Sequence, residues 1–199
     1  MSAANTTEAL HTPDELLCMP DGKGYELVRG TLIKTDMGAE SVWVGGMLFW
    51  YLVQFVKEHD SGWVFHSEAG YRCFPHEPKM IRKPDISFIK TGRFPGDVVP
   101  KGWITIVPDL AVEVVSPRDR ASELDEKLAD YRAAGIPLTW VVYPESRSVM
   151  VHRRDGSMAR LLEAESLSGE DILPGFSCPL REFLPAEPTE TPQPPTNPS

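Results

Sequence analysis

LAVEVVSPRDRASELDEKLADYRAAG, Leu110 to Gly135, is the stretch that decides the fold. Leu110 to Ser116 is a short apolar run with one acid inside it, the pattern of a central strand buried on both faces. From Ser116 to Gly135 the chain reads as its clearest helix. Ser116 is the expected N-cap, Pro117 falls in the first turn, and Gly135 is the stop. Leu124, Leu128 and Tyr131 recur at i, i+4 and i+7 as the apolar stripe.

Working outward, TWVVY (Thr139 to Tyr143) and SVMVHR (Ser148 to Arg153) read as a hairpin around Pro144-Glu145-Ser146, and MARLL (Met158 to Leu162) as a further strand. Upstream, KPDISFIK (Lys83 to Lys90) is a strand. WVFHSEAGYRCF (Trp63 to Phe74) is one strand or a bent pair, and YELVRGTLIK (Tyr25 to Lys34) is two short strands around Arg29-Gly30. PDELLCM (Pro13 to Met19) has the proline and acids of a short helix start. The most apolar segment, Val42 to Val56, is interrupted by Gly45, Gly46 and Gln54 and falls short of the ~18–20 residues of a bilayer span. It is expected to be a buried helix, with apolar surface left over for a subunit interface. Strands with helices interposed predict an α/β fold, a central mixed sheet flanked by helices.

A hydrophobic content of 41% and a charged content of 25% are globular, and 199 residues fit one domain, expected over 1–184. The remainder, 185–199 (PAEPTETPQPPTNPS), cannot bury enough apolar surface to offset its ordering entropy and is expected to be a disordered proline-rich tail. It holds no PxxP ligand beside basic residues, which argues against an interaction module built on it. The first dozen residues lack the basic and apolar regions of a secretory signal, so the expected location is the cytoplasm. Cys18, Cys73 and Cys178 are far apart and form no CxxC pair, which excludes a disulfide framework or thiolate zinc site as the organising device. A net charge of −9 argues against a general nucleic-acid coat protein. The relevant field is local, however. Arg72, Lys79, Arg82, Lys83, Lys90, Arg93 and Lys101 stand against only Glu77, Asp85 and Asp97 in that stretch.

Chemistry is concentrated in a few residues. Alternation places Ala111, Glu113 and Val115 on one strand face, and an ionised Glu113 there is costly unless it is paired or binds a metal. Its structural partner would be an arginine such as Arg118 or Arg120. Asp85, between Pro84 and ISFI, is either a second site acid or a turn residue. Two carboxylates brought together repel, and a divalent cation such as Mg²⁺ relieves that while keeping water ligands that can serve hydrolysis. Lys127 lies ~60° from Leu124 around the helix, on the margin of the stripe, where it can reach the end of the preceding strand. It could equally make only surface pairs with Glu123 and Asp130.

YELVRGTL, KPDISFI, VPDLAVEVVSPRDR, DEKLADYRAAGIPLTWVVYPESRSVMVHR and LPGFSCPL, in this order from Tyr25 to Leu184, resemble the Uma-two family of restriction-like endonucleases in the PD-(D/E)XK nuclease superfamily. The resemblance implies a restriction-endonuclease-like core and hydrolysis of DNA phosphodiester bonds with Mg²⁺ or Mn²⁺. It implies Asp85 and Glu113 as catalytic metal ligands and Lys127 beside the attacking water, in place of the lysine that commonly follows the Glu by two residues, here Val115. Glu26 matches a recurrent acid, either a further ligand or structural, and a duplex cutter would be a homodimer. Ser41 stands where relatives carry a His, a departure that favours the alternative of a catalytically degenerate nucleic-acid-binding or interaction protein. Asp109, in the second Pro-Asp pair, is read as strand-start punctuation.

Overall fold

The computed structural model describes residues 10–35 and 38–186. The expected tail from residue 187 onward, and the first nine residues, lie outside the described residues. The chain opens with α1 (Pro13–Cys18), started by a capping box in which Thr12 and Glu15 satisfy each other's backbone N–H groups. A hairpin follows, β1 (Tyr25–Val28) and β2 (Thr31–Lys34), joined by Arg29 and Gly30. Both turn residues have positive φ, as a tight two-residue hairpin requires. An arginine in that region is strained, and ion pairs from Arg29 to Glu77, Glu126 and Asp130 hold it there.

The central sheet has six strands in the order β3 (Gly62–His66), β4 (Ile86–Lys90), β5 (Leu110–Val114), β6 (Leu138–Tyr143), β7 (Ser148–Arg153) and β8 (Met158–Leu162). Only β5 and β6 are parallel, so the sheet is mixed as expected. The crossover between them carries α3 (Ala121–Ala134). One sheet face is covered by α2 (Ala39–Glu58), which buries Val44, Leu48, Leu52 and Val56 against Leu110, Val112, Val114 and Trp140. A small antiparallel pair, β9 (Ser166–Ser168) and β10 (Ser177–Pro179), adds Leu167 and Cys178 to that core, with Phe176 just before β10. The other face holds Ala111, Tyr131 and Ile136, with Tyr71 and Ile104 from the long loops. Full burial of each large apolar side chain contributes about 1.5–3 kcal/mol.

Helix α2 is 20 residues, longer than the apolar run that announced it, because Glu40 at its start and Lys57 and Glu58 at its end continue the helix in water. By length and composition it could cross a bilayer, but its buried stripe is spent on the sheet. Val42, Trp43 and Trp50 remain exposed on its outer side.

Two local expectations are corrected. The long helix starts at Ala121 instead of Ser116, because Ser116 and Asp119 bond each other's groups in a turn (Ser116 N–H to Asp119 Oδ2, Asp119 N–H to Ser116 O). Its end is as expected, with Gly135 left-handed at φ 82°. After His66 the chain leaves the sheet, so WVFHSEAGYRCF is one short strand plus a loop touching Arg82 and Ile104 through single bridges at Tyr71. Gly70 permits this approach, since a Cβ there would lie 2.3 Å from the Trp103 ring.

Candidate active site

β4 and β5 pair with Ile86 opposite Val112, and continuing that antiparallel register by one residue sets Asp85 across from Glu113. Directly opposed residues project from the same face, here the face that α3 covers. Asp85 is fixed by its own side chain: Oδ2 accepts the Val114 N–H at 2.7 Å, bonding the start of one strand to the end of the other. Glu113 is 6% exposed, and both its oxygens are held from α3. Lys127 Nζ donates to Oε2 at 2.8 Å, and the Tyr131 hydroxyl donates to Oε1 at 2.6 Å. The spacing i, i+4 puts these donors one turn apart on the same helix face.

Glu26, from β1, completes the cluster. Its Oε1 accepts the Lys83 N–H at 2.8 Å and pairs with Lys127 Nζ at 2.9 Å, while Oε2 accepts Arg82 Nη1 at 2.9 Å. Lys127 also donates to the Lys83 carbonyl at 3.0 Å, so the Lys83 backbone serves both. Arg82 continues to Asp130 of α3 through Nε and Nη2. The hairpin, the strand ends and α3 are thus joined by one buried network. A cleft opens beside it, walled by Lys34 and Thr35 of the hairpin side and by Arg120 and Glu123 at the start of α3, with Asp85, Glu113, Lys127 and Glu26 in its lining.

The charges do not balance. Burial pushes the Glu113 carboxyl up to about 8; Lys127 opposes this, and the Asp85 and Glu26 carboxylates add to it. Burial likewise raises Asp85 above the ordinary aspartate value, against the pull of Lys127 and the Val114 N–H. Glu26 is buried too, yet Lys127 and Arg82 together outweigh that and hold it below the usual range. Lys127 stays an ammonium, because the three carboxylates outweigh its own burial. Arg82 is shared between Glu26 and Asp130, so Lys127 faces three carboxylates, those of Glu113, Glu26 and Asp85.

Among the described residues no group of three or more His, Cys, Asp and Glu side chains forms a metal cage. The donor set is instead a pair of hard carboxylates, Asp85 and Glu113, on adjacent strands, where a cation would take the place of the proton that burial holds on Glu113. That fits a divalent cation which keeps most of its water.

The sequence pattern of the family Uma2, described as "Putative restriction endonuclease", matches residues 13–181. The chain belongs to the Uma2 family. A crystal structure described as "a putative nuclease belonging to DUF820" from Anabaena variabilis ATCC 29413 is similar to this Uma2 chain, with a TM-score of 0.70 and 19% identity over 86% of this chain and 96% of that one. The likeness extends to the whole fold. No curated protein matches the chain in sequence.

Of the residues singled out in the sequence of this Uma2 protein, Asp85, Glu113, Lys127 and Glu26 all meet at the cleft. Arg118 and Arg120 are exposed and do not pair with Glu113; Arg120 pairs with Glu123 instead. Asp109 is structural, accepting the Lys90 N–H and Arg93 Nη1. Ser41 is fully buried, donates to the Val115 carbonyl and does not line the cleft, and neither do His11, His59, His66, His76 or His152. The locally basic stretch is divided: Arg82 and Lys83 are buried in ion pairs with Glu26, Asp130 and Glu68, and Arg93 pairs with Asp109, while Arg72, Lys79 and Lys101 are exposed. Sequence reasoning missed Tyr131 and Arg82 as members of the site. Tyr131 gave no signal of this, since it fits the apolar stripe of its helix as a ring.

Proposed function

We propose that this protein is a metal-dependent endonuclease that hydrolyses DNA phosphodiester bonds in the cleft at Asp85, Glu113 and Lys127. The observation that carries the reading is the convergence of a buried carboxylate, Glu113, and a part-buried one, Asp85, from strands adjacent in the sheet, with a lysine ammonium from the following helix. Membership of a family described as "Putative restriction endonuclease" supports the nuclease class. Asp85 and Glu113 are the residues that would hold Mg²⁺ or Mn²⁺. Such an ion supplies a water of lowered pKa and neutralises charge on the phosphodiester oxygens.

Lys127, held as a cation by Glu113 and Glu26, suits a donor better than a proton acceptor: it orients the attacking water and stabilises charge growing on the phosphoryl group. Glu26 enters the reading as the residue that fixes Lys127, because Arg82 already pairs with its Oε2 and its Oε1 pairs with Lys127 Nζ. A cytoplasmic homodimer belongs to the same reading. Two strands need two clefts, and the outer side of α2, with Trp43 and Trp50, is the surface proposed for pairing.

The test is cleavage of supercoiled plasmid by the purified chain at low salt. Nicking or linearisation in Mg²⁺ or Mn²⁺ that disappears with EDTA and in Asp85→Ala is the expected result. Equal cleavage by wild type and Asp85→Ala, or no cleavage of DNA under any of these ions, contradicts it.

A further inference from the structure

We infer that Tyr131 is a positioning residue of this centre, fixing the carboxylate plane of Glu113 with Oε2 held on Lys127. The inference rests on reading the cleft as a metal site. Tyr131 is 1% exposed, so it cannot touch a substrate, and its hydroxyl reaches Glu113 Oε1 at 2.6 Å. Lys127, one helical turn earlier, holds the other oxygen. A glutamate's terminal torsion is broad and roughly two-fold, so a single anchor would leave the carboxylate free to rock about it. Two donors on one helix face remove that freedom. Removing the hydroxyl would leave Oε1 buried without its partner, and the carboxylate would turn toward whatever donor or ion it could find.

The ring of Tyr131 has a separate duty, packing with Ala111 and Ile136 against the sheet. Tyr131→Phe keeps that ring and removes only the oxygen. The two duties can therefore be told apart.

The experiment is Mn²⁺ titration of the full chain, without DNA, by electron paramagnetic resonance of the free ion. Metal-free thermal melts are run alongside as the folding check. Tyr131→Phe is expected to weaken Mn²⁺ binding about 10- to 100-fold, the usual effect of removing a group that orients a ligand. In a Glu113→Asp background, where the shorter carboxylate cannot reach the hydroxyl, the same change should add less than about twofold. 4-Aminophenylalanine at position 131, which restores an N–H donor, should recover most of the loss. Wild-type affinity in Tyr131→Phe would overturn the inference while leaving the metal reading intact. An equal loss in the Glu113→Asp background would also overturn it. If the wild-type chain binds no Mn²⁺ at all, the underlying reading fails and the inference with it.

Discussion

Glu113 carries the argument at the scale of the residue. A carboxylate placed inside an apolar strand requires a reason, and Lys127 and Tyr131 supply part of it. Its carboxyl is raised from 4.5 to about 8, so between these values the folded chain holds a proton that the unfolded chain has released. In metal-free protein the stability from this group is therefore present below about pH 4.5 and is lost as pH rises toward 8. Asp85, also raised, acts in the same sense; Glu26, lowered, acts in the opposite sense at acidic pH, and His152, lowered by burial, opposes near neutrality. Comparison with Glu113→Gln isolates the one group. In EDTA the variant should melt close to wild type at pH 5 and above it at pH 8, each kcal/mol moving Tm by about 2–4 °C. Saturating Mn²⁺ should stabilise only the wild type at pH 8. Coincident melting curves across this range would sink the assignment. Glu113 was legible in the sequence as an acid among valines, whereas Lys127, on the margin of an apolar stripe, was open between the cleft and surface pairs until the family resemblance favoured the cleft. Tyr131 was not, because a tyrosine on such a stripe satisfies the pattern as a ring, and nothing in the spacing tells where its hydroxyl points.

At the scale of the element, the strand–helix unit of β5 and α3 was readable from end to end except at the helix start. Ser116 and Pro117 carry the signature of a helix N-terminus, but Asp119 diverts the Ser116 N–H into a turn that needs no helix. β9 and β10, three residues each, are too short to leave a periodicity. The attachment of the β1–β2 hairpin to α3 was invisible for another reason: it depends on pairings between residues far apart in the chain. Arg82 is the central link, 4% exposed and bonded to Glu26 and Asp130 at once. Arg82→Met leaves both acids buried with their main cation gone, which should cost about 3–5 kcal/mol. Urea denaturation measures this as a lowered midpoint at unchanged slope. A loss under about 1 kcal/mol would mean the pair is no more than a surface contact, in the range such contacts contribute.

At the scale of the whole molecule, the mixed sheet between α2 and α3 brings to one cleft residues that the sequence separates: Glu26 from the hairpin, Asp85 before β4, Glu113 at the end of β5 and Lys127 from α3. The α/β class followed from apolar runs alone. Which strands are neighbours did not, and the meeting of Asp85 with Glu113 depends on it; only the order of segments shared with the Uma2 family anticipated that meeting. The net charge of −9 is no obstacle to an anionic substrate if the cleft binds its own cation, which is what the Asp85 and Glu113 carboxylates are suited to do. The most direct test is the anomalous scattering of Mn²⁺ in crystals of the wild-type chain. The account predicts one strong peak bonded by an Asp85 Oδ and a Glu113 Oε at about 2.0–2.2 Å, with water completing the shell and Glu26 outside it. A saturated crystal with no peak there, or with the ion held by other residues, would contradict it.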